Sequence, residues 1–100
     1  MTNTLDDRIV ACAARLYDAR RARAALPPVR SELPPKDVAA AYRVQRINVR
    51  KRLAEGRRII GRKIGLTSEA VQSQLGVDQP DFGVLFDDMA YRGDDVTIPL

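Results

Sequence analysis

The sequence contains no histidine. That absence removes the usual general base near neutral pH, the commonest zinc ligand and every Ser-His or Cys-His dyad. Chemistry in this chain must rest on lysine, aspartate, glutamate, tyrosine or a bound metal. There is one cysteine, Cys12, so no internal disulfide is possible. It falls within an apolar helical stripe and reads as a buried thiol in a reducing compartment rather than a nucleophile. Aromatic residues make up only 5% of the chain, and none is interleaved with its arginines as a stacking platform, so nucleic acid is not an expected partner. No apolar run approaches the roughly 18 residues of a membrane span. The opening "MTNTLDDRIV" carries acids where a secretory signal needs positive charge. A cytoplasmic protein without membrane contact is the expectation.

What is present suits a folded chain with a modest core: 100 residues, 45% hydrophobic and 30% charged with mixed sign. The net charge of +4 is unevenly distributed. Residues 1–63 hold sixteen basic residues against six acids, a balance of +10, and residues 64–100 hold one base against seven acids, a balance of −6. Docking of one part on the other, or on a neighbouring subunit, accounts for the high pI without nucleic acid.

Leu5, Ile9, Cys12 and Leu16 recur at the spacing of one helix face, and Thr4 with Asp7 forms a capping box, which predicts a helix to about Ala25. "LPPVRSELPPK" follows with four prolines and predicts an extended connector. A second helix is predicted from Asp37 to about Glu55, with Val38, Tyr42, Gln45, Val49 and Leu53 as its apolar stripe, Arg43, Arg46, Arg50 and Arg57 along another face, and Gly56 as its terminator. A strand around Lys63 leads to a short helix capped by Thr67 or Ser68 that stops at Gly76. The tail reads as two short strands about an "RGDD" turn. The fold class is α+β: two N-terminal helices, then a small mixed β region with a short inserted helix. Residues 1–56 form the helical segment and residues 57–100 the start of a β-rich region. "VTIPL" is an apolar run without a turn or cap, so the expectation is the front portion of a longer protein.

Two residues stand out chemically. In "GRKIGLTS", an extended backbone puts Gly61, Lys63 and Gly65 on one face and Ile60, Arg62, Ile64 and Leu66 on the other. Glycines pack nothing in a strand, so either a ligand approaches the backbone closely beside Lys63 or the glycines mark a bulge and Lys63 is solvated. Such a lysine can donate a proton or stabilise a carboxylate or enolate. In "QPDFG", Asp81 sits between a rigid Pro80 and a permissive Gly83, with Phe82 as a possible apolar wall. Its alternative reading is a turn acceptor. Asp87–Asp88 and Asp94–Asp95 read as solvated loop pairs, because neighbouring strand residues face opposite sides.

The stretch "GRKIGLTSEAVQSQLGVDQPDFGVLFDDM", with "DVAAAYRVQ" and "RLAEGRRIIG" upstream, resembles the 2-keto-4-pentenoate hydratases and 4-oxalocrotonate decarboxylases of the fumarylacetoacetate hydrolase superfamily, which act in meta-cleavage of aromatic compounds. The resemblance implies a β-roll catalytic part, a homo-oligomer, and a magnesium or manganese ion. It also implies that Lys63 and Asp81 are catalytic, with Gly61, Gly65 and Ser68 around a small 2-oxo or 2-hydroxydienoate anion. The expected reaction is hydration of 2-hydroxypenta-2,4-dienoate to 4-hydroxy-2-oxopentanoate. A decarboxylase and a non-catalytic oligomerisation or accessory module are the alternatives. In the family an E-x-E pair and a further glutamate hold the metal. This sequence has only Glu32, Glu55 and Glu69 and no E-x-E, so the 100 residues alone are expected to be inactive.

Overall fold

The computed structural model describes residues 4–98. They fall into two compact units, one up to Ala54 and one from Glu55 onward.

In the first unit, helix α1 spans Leu5–Ala22. Its start follows from the capping box: the Thr4 hydroxyl accepts from the Asp7 N–H at 3.1 Å, and the Asp7 carboxylate accepts from the Thr4 N–H at 3.4 Å. Asp6 and Asp7 in the first turn and Arg20 and Arg21 in the last complement the helix dipole. The helix ends earlier than Ala25 because Arg23 turns left-handed at φ 54°, its N–H bonded back to the carbonyls of the last turn. Helix α2 spans Val38–Ala54, with the Asp37 carboxylate accepting from the Ala40 N–H at 3.0 Å. Gly56 follows it at φ +93°, as a terminating glycine should. Arg57 lies beyond the helix, so it does not extend the arginine face of Arg43, Arg46 and Arg50.

The core of this unit is Ile9, Cys12, Ala13, Ala40 and Val44, edged by Leu16, Val29, Leu33 and Ile47. Of the expected α1 stripe, Ile9 and Cys12 are buried and Leu16 packs beside them, while Leu5 remains 37% exposed. On α2 the expected stripe is not the buried one: Val38 and Leu53 remain 44% and 43% exposed, and the face turned to α1 is Ala40, Val44 and Ile47. Alanines at 13 and 40 let the backbones approach closely, and that proximity outweighs the larger side chains of the neighbouring stripe. The proline-rich connector is likewise more than an extended link. It carries a 3-10 turn at Val29–Glu32, and Val29 and Leu33 close one side of the core. Arg8 Nε donates to the Glu32 carbonyl at 2.9 Å and Arg15 pairs with the Glu32 carboxylate at 2.6 Å, tying the turn to α1.

Cys12 is fully buried. Burial pushes its thiol up from the ordinary cysteine value, the Glu32 carboxylate adds to the shift, and the Arg15 guanidinium offsets part of it. A chromogenic disulfide reagent at neutral pH is therefore expected to leave the native protein unlabelled over minutes and to react fully in denaturant. Rapid labelling of the native protein would contradict the buried placement.

In the second unit, strand β1 (Ile59–Gly65) pairs antiparallel with strand β2 (Asp81–Phe86), and helix α3 (Glu69–Gln74) lies between them in sequence. Ser68 caps α3, its Oγ accepting from the Val71 N–H at 3.2 Å. The chain leaves β1 through Leu66 at φ 55°, a left-handed turn whose carbonyl accepts from Gln72 Nε2 at 2.7 Å. The register slips between Ile59 and Gly61, leaving Ile60 as the extra residue of a bulge. Among the described residues the sheet is a two-stranded antiparallel ribbon, in keeping with the α+β order expected. The expected second strand of the tail does not form within residues 90–98, and Pro99 and Leu100 lie outside the described residues. Its predecessor, β2, is already paired with β1, and Asp87–Met89 turns away as a 3-10 segment. No helix among the described residues is long and apolar enough to cross a membrane.

Candidate functional site

Antiparallel pairing sets Lys63 opposite Gly83 and Gly65 opposite Asp81. Residues directly opposite share a face, so Gly61, Lys63 and Gly65 lie on the same face as Asp81 and Gly83. Lys63 Nζ donates to Asp81 Oδ2 at 2.8 Å. The two residues singled out from distant motifs therefore meet as an ion pair, with their side chains 52% and 51% exposed.

The glycines have distinct surroundings. A Cβ placed on Gly65 would stand 3.8 Å from Asp81 Oδ2 and 3.9 Å from Lys63 Nζ, so its bareness leaves room beside the pair. At Gly61 the corresponding point meets only Leu85 Cδ1, at 3.8 Å, with neither charged group within 4 Å. Gly61 belongs to the bulge. The bulge read from "GRKIG" is present, and Lys63 is engaged by Asp81. Ser68 is occupied as the α3 cap. Phe82 is not a wall for Asp81: strand alternation turns it to the opposite face, across from Ile64. Gly83 is the buried position beneath Lys63, where a Cβ would lie 2.7 Å from Lys63 Cε.

Asp87, read from sequence as a solvated loop acid, instead clips the open end of the ribbon. Its carboxylate accepts from the Arg58 N–H at 3.1 Å, its own N–H donates to the Arg58 carbonyl at 2.9 Å, and Arg57 reaches it at 3.4 Å. The Arg58 N–H, opposed by desolvation and helped by the Arg57 charge, holds its carboxyl below the ordinary aspartate value of 3.8. A depressed native value means that the stabilisation is complete above 3.8 and is lost as the pH falls through the native value below it. Asp87→Asn is expected to lower thermal stability at neutral pH, with the difference from wild type shrinking on acidification below that value. A difference independent of pH would show that the charge has no part in the clip.

Among the described residues no three His, Cys, Asp or Glu side chains converge as a metal site. Glu32, Glu55 and Glu69 lie in the connector turn, after α2 and in α3 respectively. These residues do not fit the divalent ion that the resemblance implies.

No protein-family model matches the chain. Two solved structures of 4-oxalocrotonate decarboxylase from Pseudomonas putida G7 superpose on it. The complex with magnesium and adipate does so with a TM-score of 0.75, and that with calcium and acetate with 0.76. Both are 34% identical in sequence and match 83% of this chain and 32% of their own. By sequence and fold the chain is similar to part of the 2-keto-4-pentenoate hydratases and of 4-oxalocrotonate decarboxylase. The 2-keto-4-pentenoate hydratase from Paraburkholderia phymatum is 53% identical over 95 residues. The 2-keto-4-pentenoate hydratase 1 of Dechloromonas aromatica is 60% identical over 80 residues. These matches take in 95% and 80% of this chain but 36% and 30% of the relatives, so the chain spans about a third of their length.

Proposed function

We propose that the chain contributes the lysine and aspartate of a hydro-lyase site acting on 2-hydroxypenta-2,4-dienoate, the enol of 2-keto-4-pentenoate. The observation that carries this reading is the 2.8 Å contact of Lys63 with Asp81, in a chain whose hydratase relatives are 53–60% identical. In this reading Lys63 binds the anion and stabilises negative charge at the 2-oxygen. Asp81 takes the enol proton and delivers it to C5. Water then adds at C4 as C3 gains a proton, giving 4-hydroxy-2-oxopentanoate. Gly65 leaves space for the substrate beside Nζ, with Gly61 and Ser68 at the margins. Residues 57–100 begin the catalytic region and residues 1–56 form the helical segment ahead of it. The whole protein is a cytoplasmic homo-oligomer of aromatic meta-cleavage with magnesium or manganese.

The likeness to a 4-oxalocrotonate decarboxylase supports a second reading, in which a 2-oxo dicarboxylic acid loses carbon dioxide. Product analysis with the native full-length protein separates the two. Conversion of 2-hydroxypenta-2,4-dienoate to 4-hydroxy-2-oxopentanoate is expected. Carbon dioxide release from a 2-oxo dicarboxylic acid would favour the decarboxylase, and neither product would leave an accessory module.

A further inference from the structure

Gly83 lies in the middle of β2, where glycine weakens a strand and offers no packing. Gly56, Gly76 and Gly93 occupy positive φ, which explains glycine there. Gly83 does not, so its backbone would accept any residue. What sets this position apart is the lysine above it. A Cβ on residue 83 would stand 2.7 Å from Lys63 Cε, 3.2 Å from Cγ and 3.5 Å from Cδ. Cε thus stands where a side chain at 83 would force it to shift, Cγ is tight against that space, and Cδ is in ordinary contact with it. The path has a simple origin. Lys63 stands opposite Gly83, while its partner Asp81 is two residues along the same face of β2. To reach Asp81 the lysine must lie down along β2, directly over residue 83.

We propose that Gly83 is a positioning residue. Its missing side chain opens the channel along which the Lys63 methylenes run, and so sets where the ammonium meets Asp81 and the substrate anion. The catalytic consequence rests on the hydratase reading above, whereas the geometric one stands without it.

The test is Gly83→Ala in the native full-length protein, alone and combined with Lys63→Ala. The conflicting atom is the far end of a flexible side chain, so the ribbon is expected to stay paired while Lys63 lifts away. A crystal structure should place Nζ more than 4 Å from Asp81, and kcat should fall roughly a hundredfold, the scale of an ångström-sized misplacement. The melting temperature should respond to Gly83→Ala more favourably in the Lys63→Ala background than in wild type, because glycine costs a strand more than alanine does once nothing lies over the position. A glycine needed only for folding would depress both backgrounds alike. Retention of the 2.8 Å contact in Gly83→Ala, or equal melting shifts in both backgrounds, would overturn the proposal. If Lys63→Ala keeps full activity, the hydratase site reading fails, and the Nζ–Asp81 separation and the melting shifts still decide the role of Gly83. If Lys63→Ala is inactive while Gly83→Ala keeps wild-type kcat, the positioning role alone is refuted.

Discussion

Lys63→Ala is expected to lower turnover of 2-hydroxypenta-2,4-dienoate by the native full-length protein by about 10²–10⁴-fold, the range spanned by removal of a proton-transferring or charge-stabilising group. Folding should scarcely change. A half-exposed ion pair contributes only about 0.2–1 kcal/mol, and Lys63 and Asp81 are each about half exposed. The lysine lies over Gly83 with about half of its side chain exposed, and the Asp81 carboxylate left behind is about half exposed too. This asymmetry between a large catalytic loss and a small loss of stability is the signature of a residue held in place for chemistry. Steady-state kinetics beside a thermal melt measures both halves. Wild-type kcat and KM would make Lys63 a surface charge whose pairing with Asp81 has no consequence.

The largest stability effect is expected at Ile9. It is 1% exposed and one of the two largest fully buried side chains among the described residues. Ile9→Ala removes three carbons from a core of five buried residues, and truncations of this kind cost about 2–5 kcal/mol. A unit of this size has a stability of roughly 3–8 kcal/mol at the usual 0.05–0.15 kcal/mol per residue. The substitution therefore takes a large share of it. Repacking gives little relief, because Ala13 and Ala40 are too small to fill the void and the connector turn is held by Arg8 and Arg15. Denaturant unfolding followed by helical circular dichroism should show a midpoint shift of that order. Val10→Ala, at a position 57% exposed on the same helix, should shift it little. Equal effects at positions 9 and 10 would mean that α1 does not pack through its Ile9 face.

Local signals were legible wherever the physics is local. The Thr4–Asp7 capping box, the Ser68 cap and the terminating Gly56 each depend on atoms a few residues apart, and each is where the spacing puts it. The α1 stripe followed from periodicity, since its large apolar residues fall mostly on one side, Val10 apart. On α2 periodicity offered two stripes, and counting large side chains selected the wrong one. The choice depended on Ala13 of another helix, which no window along α2 contains. The tail failed for a related reason. Its β propensity suits a hairpin about "RGDD", but β2 found its partner in β1, some twenty residues upstream.

The motifs themselves separated Lys63 and Asp81 from the other charged residues, because a lysine among glycines and an aspartate between proline and glycine are unusual wherever they fold. The sequence by itself determined the α+β order of elements, their caps, and these two residues as candidates. The tertiary structure alone decided that they touch, since antiparallel register sets which residues share a face. It also made Gly83 the residue beneath the lysine and Asp87 the clip at the ribbon's end. Strand pairing joins positions 18 and 29 residues apart, and contacts at that range depend on register and loop closure rather than on the identity of neighbours in the chain.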